Sequence, residues 1–137
     1  MDRPRVVLAD DNKALLESVW RLLDPEFDVV ATAADGQAAF DAVKATQPDA
    51  IVLDISMPIA GGFEVAARLS ALPNPPRIVF LSVHESREFL DAARDAGASG
   101  YVFKRNACRD LIRVLRQALA GGRGFPERAD EPETVAE

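Results

Sequence analysis

Three apolar runs in this 137-residue sequence end in side chains that carry charge: VVLA ends at the pair Asp10-Asp11, AIVL at Asp54, and GYVF at Lys104. Each run is apolar on every residue and reads as a strand buried on both faces, the mark of a parallel sheet. In open α/β sheets ligands bind just beyond the carboxyl ends of the strands. Three strands therefore deliver three carboxylates and one ammonium to one edge. Carboxylate oxygens are hard donors suited to a divalent cation such as Mg²⁺, and an ammonium suits a phosphoryl oxygen.

Asp54 is the residue able to react. A carboxylate can attack phosphorus and form an acyl phosphate, provided charge repulsion with the phosphoryl oxygens is neutralised. Asp11 and Asp54 would hold Mg²⁺, with Asp10 acting through a coordinated water. Lys104 and the Ser82 hydroxyl would contact phosphoryl oxygens. Each residue alone has a plainer role. Asp11 or Asn12 could cap the first helix, Asp54 could form a turn, Lys104 could be solvated, and Ser82 could cap a loop. Their shared placement at one sheet edge favours a site.

Five strand–helix alternations position these groups. The strands are expected at Arg5–Ala9, Phe27–Ala33, Ala50–Leu53, Arg77–Leu81 and Ser99–Phe103. Leu15, Leu16, Val19, Trp20, Leu22 and Leu23 mark the first helix, with Pro25 beyond its end. The second opens near Asp35-Gly36 and stops before Pro48. The third runs from about Phe63 to Leu72, ahead of Pro73-Asn74-Pro75-Pro76, and the fourth from about Ser86 to Ala96 with Gly97 as its C-cap. Leu111, Ile112, Leu115, Ala118 and Leu119 mark the fifth, which Gly121-Gly122 ends. Residues 1–122 thus read as one domain and 123–137 as an acidic mobile tail.

Composition frames the function. Hydrophobic residues make up 48% and charged residues 28%, an ordinary balance for a soluble domain. No apolar run approaches the roughly 20 residues that span a bilayer, and MDRPR leads straight into the first strand rather than into a signal peptide. A cytoplasmic protein with no membrane contact is expected. The formal charge of −6 argues against direct nucleic-acid binding by this chain. Cys108 is the single cysteine, which excludes an intrachain disulfide, and it is expected to be a buried or half-buried thiol.

The segments VVLADDN, IVLDISMPIAGGFE, IVFLSVHE and GASGYVFKRNACRDLIRVLRQALAGG are similar to the receiver domains of two-component response regulators, most of all to those of the NarL/FixJ type. The resemblance covers residues 5 to 122. It implies a flavodoxin-like (βα)5 fold with a five-stranded parallel sheet in the order 2-1-3-4-5. It implies that Asp54 is the phospho-acceptor and that Asp10, Asp11, Asp54 and the Ser56 carbonyl are the Mg²⁺ ligands. Ser82 and Lys104 become phosphoryl contacts, and Ser82 and Tyr101 the switch pair. The implied partner is a sensor histidine kinase, with small acyl phosphates as alternative donors. The implied activity is self-assisted phosphorylation and dephosphorylation rather than turnover of a separate substrate. The output surface would be the fourth helix, fifth strand and fifth helix, serving either a stand-alone regulator through protein contacts or a DNA-binding domain absent from this chain.

Some residues depart from that pattern. Arg105 follows the lysine where proline is frequent, and Val83 follows the hydroxyl where a smaller residue is usual. Ile59 and Gly61 replace the usual Gly-x-Asp lead-in to the third helix. Ser56 and His84 occupy positions that tune dephosphorylation in such domains. His84 is the sole histidine, more often idle in a loop than a general base. Arg109, Arg113 and Arg116 share one face of the fifth helix, and Glu88, Asp91 and Asp95 one face of the fourth. They are either two solvated faces or the halves of a homodimer contact. Two rivals remain: a receiver-like scaffold that works without phosphorylation, and a phosphatase of the haloacid dehalogenase class. The latter wants an acid two positions after its nucleophile, where this chain has Ser56.

Overall fold

The computed structural model describes residues 3–126. Among these, five strands alternate with five α-helices: β1 (Arg5–Ala9), α1 (Lys13–Leu23), β2 (Asp28–Ala33), α2 (Gly36–Thr46), β3 (Ala50–Leu53), α3 (Gly62–Ser70), β4 (Arg77–Ser82), α4 (Arg87–Asp95), β5 (Gly100–Phe103) and α5 (Ala107–Leu119). A single 3₁₀ turn, Lys104–Asn106, joins β5 to α5. All neighbouring strands are parallel, in the order β2-β1-β3-β4-β5. This is the flavodoxin-like order expected from the sequence.

Alternation along the strands divides the core. Val7, Ala9, Ile51, Leu53, Ile78, Phe80, Tyr101 and Phe103 pack against Ala39 and Val43 of α2, Val65 and Leu69 of α3, and Leu90 and Ala93 of α4. The intervening Val6, Leu8, Val52, Val79, Leu81 and Val102 pack against Val19 and Leu23 of α1 and Leu111, Val114, Leu115 and Ala118 of α5. Successive strand side chains point to opposite faces, so runs apolar at every position fill both layers. The strand order reverses between β1 and β3, and that crevice is where such sheets bind ligands.

The ends of several elements differ from expectation for local reasons. Phe27 precedes β2 because its N–H is engaged by the Leu23 carbonyl at the end of α1. Ser82 closes β4 by pairing with Phe103. α3 stops at Ser70, short of Leu72, because the Ala71 and Leu72 N–H groups turn to the Arg68 and Leu69 carbonyls ahead of Pro73. Gly97 and Gly121 follow α4 and α5 with φ of +94° and +91°, values suited to a residue without a Cβ. Cys108 departs from the expected burial: it is exposed, because the buried stripe of α5 begins at Ala107 and continues at Leu111. Trp20 keeps 42% of its surface exposed. Of the span 123–137, residues 123–126 are described, and Gly124 forms a parallel bridge to Gly100. The remainder lies outside the described residues. No described helix is long and apolar enough to cross a membrane.

Candidate functional site

β1 and β3 set the floor of the site. Ala9 pairs with Leu53 in parallel register, which places Asp10 and Asp54 side by side at the strand ends. The Asp54 N–H donates to the Ala9 carbonyl at 2.9 Å and the Asp10 N–H to the Ala33 carbonyl at 3.0 Å. Both aspartates are buried, with 4% exposure for Asp10 and 5% for Asp54, whereas Asp11 is exposed. The capping role open to either Asp11 or Asn12 falls to Asn12, whose side chain accepts the Leu15 N–H at 3.1 Å. Asp11 is thereby left for other work.

One carboxylate oxygen from each of Asp10, Asp11 and Asp54 lies within 4.8 Å of the others. Such a set, all hard oxygen donors with no sulfur or imidazole, suits Mg²⁺ or Ca²⁺ rather than a softer metal. Asp10 Oδ1 accepts the Asn12 N–H at 2.9 Å. Its buried Oδ2 receives no aligned hydrogen bond, and the Lys104 Nζ stands 2.8 Å away. The donor set therefore fits a divalent cation. The same Nζ is 3.6 Å from Asp54 Oδ1, which accepts the Ile55 N–H at 2.8 Å.

Burial pushes the Asp54 carboxyl above its ordinary value, and the negative charge of Asp10 adds to that push. Lys104 and the backbone N–H groups of Ile55 and Ser56 oppose the rise. Asp54 is thus a carboxylate held out of water, beside the carboxylates of Asp10 and Asp11 and the ammonium of Lys104. A poorly solvated carboxylate with its negative charge partly matched is a competent nucleophile.

The expected switch residues also meet. Ser82 is fully buried, and its Oγ accepts the His84 N–H at 3.0 Å. Tyr101 is buried at 1% exposure and donates its O–H to the His84 carbonyl at 2.7 Å. Burial raises the Tyr101 phenol above its ordinary value. Ser56, two residues beyond Asp54, is exposed, and its Oγ lies 3.4 Å from His84 Nε2. The His84 ring stacks on Phe89, centroids 4.0 Å apart at 6°. His84 is therefore a junction between two loops, a role its sequence position did not disclose.

Elsewhere four members of the charged stripes are paired within the chain. Arg109 and Arg113 bond Asp110, Arg116 pairs with Glu26, and Asp91 with Arg94. Arg105 grips Glu85 through two hydrogen bonds of 2.5 and 2.8 Å.

Known proteins are similar to this chain in sequence and fold. The family model for the response regulator receiver domain matches residues 6–116. The transcriptional regulatory protein DegU of Brevibacillus brevis is 33% identical over 120 residues, 86% of this chain and 51% of its own. The chain thus spans about half the length of that relative. The signal receiver domain of NarL from Mycobacterium tuberculosis superposes with a TM-score of 0.84 at 31% identity, covering 88% of this chain and 99% of its own. A LuxR-family two-component response regulator from Aurantimonas sp. SI85-9A1 gives a TM-score of 0.87 at 32% identity, covering 93% of each chain. With the acidic crevice, the strand order and the matched span in agreement, the chain belongs to the response regulator receiver domain family of two-component systems.

Proposed function

We propose that this receiver is phosphorylated on Asp54 by a sensor histidine kinase, or by a small acyl phosphate, in a reaction that needs Mg²⁺. The observation that carries this reading is the buried Asp54 carboxylate set among Asp10, Asp11 and Lys104. Asp10, Asp11 and Asp54, with the Ser56 carbonyl, are the residues proposed to hold the cation. Once bound, it would offset the repulsion between carboxylates and phosphoryl oxygens. The Ile55 N–H and Lys104 engage Asp54 Oδ1, which leaves the second oxygen to attack phosphorus. A new O–P bond forms there, and the donor's bond to phosphorus breaks with its electron pair leaving on the donor.

Ser82 and Lys104 then contact the phosphoryl oxygens. Drawing the Ser82 hydroxyl toward Asp54 carries the His84 backbone bonded to it and, through the His84 carbonyl, the Tyr101 hydroxyl. The surface of α4, β5 and α5 is the proposed output. Association of two copies through it would exchange the intrachain pairs of Asp110 and Asp91 for interchain ones. DegU is named a transcriptional regulatory protein, and by that relation the output proposed here is control of transcription.

Intact mass after incubation with acetyl phosphate tests the reading. One added phosphoryl group is expected on the wild type with Mg²⁺, and none without Mg²⁺ or on Asp54→Asn. An unmodified wild type that also fails to bind beryllofluoride would sink the proposal.

A further inference from the structure

The outer edge of β5 is covered by the chain itself. The Tyr101 N–H donates to the Gly124 carbonyl at 2.9 Å, and the Gly124 N–H donates to the Ser99 carbonyl at 2.9 Å. Glycine on both sides allows this close approach. A Cβ on Gly100 would lie 2.5 Å from Val114 Cγ1 and 3.1 Å from the Gly124 carbonyl oxygen, and a Cβ on Gly124 would lie 3.0 Å from Val114 Cγ1. The next residue, Phe125, sets its ring against Tyr101 with centroids 6.5 Å apart at 30°. From α4, the Arg94 guanidinium lies over the same ring at 4.4 Å. Residues 123–126 therefore form a strap that touches both β5 and α4. The strap also walls an open cleft of about 690 Å³. The cleft's guanidiniums are already engaged: Arg105 by Glu85, Arg109 and Arg113 by Asp110.

A continuous set of contacts joins the strap to the site. Ser82 accepts from the His84 N–H, the His84 carbonyl accepts from Tyr101, and Phe125 packs on Tyr101. We propose that Arg123–Pro126 is a second output of the receiver, a strap seated on the inward Tyr101 ring and tightened when Asp54 is phosphorylated. This rests on the phospho-acceptor reading above. A strap held by two backbone hydrogen bonds and one ring opens far more readily than the sheet beneath it. Its docked population is therefore easily shifted by a neighbour with two packings. A phosphoryl group that fixes Ser82 narrows the 83–86 loop to one packing, holds Tyr101 inward, and gives Phe125 a constant platform. Because Gly124 fills the β5 edge, any partner that pairs with that edge must compete with it.

Amide hydrogen exchange with and without Mg²⁺ and beryllofluoride tests this, alongside intact mass after acetyl phosphate. The Tyr101 and Gly124 amides report docking directly, and those of α2 serve as controls. Exchange at both is expected to slow roughly fivefold or more, the lower end of ordinary allosteric coupling, with α2 unchanged. Phe125→Ala, which alters a half-buried ring outside the acidic site, is expected to abolish the slowing and still gain the phosphoryl mass. A phosphoryl adduct with no slowing at either amide, or slowing that survives Phe125→Ala, overturns the strap. A wild type that neither gains the adduct nor binds beryllofluoride overturns the phospho-acceptor reading itself, and the two failures are thereby distinct.

Discussion

Lys104 Nζ sits nearer to Asp10 than to Asp54, 2.8 Å against 3.6 Å. The lysine is thus placed on a carboxylate proposed to bind metal as much as on the proposed acceptor. Countercharge from Lys104 and countercharge from a divalent cation are alternatives at Asp10, and each weakens the other. Beside its proposed contact with the phosphoryl group, Lys104 is thereby also the counterion of a buried anion.

Lys104→Met should therefore bind Mg²⁺ more tightly. Removing one positive charge a few ångströms from the ligands is worth about 1 kcal/mol even at the dielectric of bulk water, or roughly fivefold in Kd. Calorimetric titration of both proteins with MgCl₂ checks this. Phosphorylation by acetyl phosphate should slow in the same variant, since the proposed phosphoryl contact is lost. A variant with weaker metal binding would show that Lys104 organises the acidic group rather than competing for it.

The Asp54 carboxyl carries a pH signature. Its value in the folded chain is raised by burial and by Asp10, so folding favours the protonated form. The corresponding stability is fully present below the ordinary value of 3.8 and is lost as pH rises through the raised folded value. At neutral pH the ionised carboxylate is a net cost. Asp54→Asn should thus melt higher than the wild type at pH 7 without metal, by about 3 °C or more if the relief approaches 1 kcal/mol. The gap should close as pH falls toward 3.8, and Mg²⁺ should narrow it by stabilising the wild type more. Thermal melts near the ordinary carboxyl value and at neutral pH, with and without MgCl₂, provide the comparison. A variant less stable at neutral pH would mean that Lys104 outweighs burial.

The parts of this molecule legible in its sequence are those with a repeating physical cause. VVLA, AIVL and GYVF are apolar at every position because both faces of each strand are covered, and their last residues mark the sheet edge where Asp10, Asp54 and Lys104 meet. Exposure of Cys108 was also implicit in the helical spacing of Ala107 and Leu111, one residue out of phase with it. Contacts between loops carry no such period. The Ser56–His84 approach joins positions 28 apart, and Gly124 reaches Ser99 and Tyr101 after two glycines and no apolar pattern. Asn12 rather than Asp11 caps α1 through one side-chain hydrogen bond, which composition alone leaves undecided.

Ile59 holds φ at +73° and is 80% exposed. A β-branched residue in the left-handed region is strained by about 1–2 kcal/mol, and little burial compensates it here. Ile59→Gly removes the strain but adds freedom to the unfolded chain, which returns about 0.4–1 kcal/mol. A net gain of roughly 0.5–1 kcal/mol is expected, read as a higher urea midpoint at constant slope. Phosphorylation of Asp54 should persist, because the substitution leaves the acidic group untouched. A lower midpoint would show that the exposed side chain makes contacts worth more than its strain.

Gly62 governs how closely α3 approaches Asp54. A Cβ there would lie 2.2 Å from the Asp54 carbonyl oxygen and 2.8 Å from Ile55 Cα, both backbone atoms without a rotamer to yield. The Gly62 N–H also donates to the Ile55 carbonyl at 2.7 Å, which ties the start of α3 to the strand end. Gly62→Ala must push the helix and the β3 terminus apart. Overpacking of this kind costs about 1–3 kcal/mol, and the displaced backbone is the one whose Ile55 N–H holds Asp54 Oδ1. Both a lower urea midpoint and slower acetyl phosphate labelling are therefore expected. Gly61→Ala, whose Cβ would come no closer than 3.3 Å to the Ile55 carbonyl oxygen, should change each much less. Equal effects from the two substitutions would place the sensitivity in the loop as a whole rather than in the contact between Gly62 and Asp54.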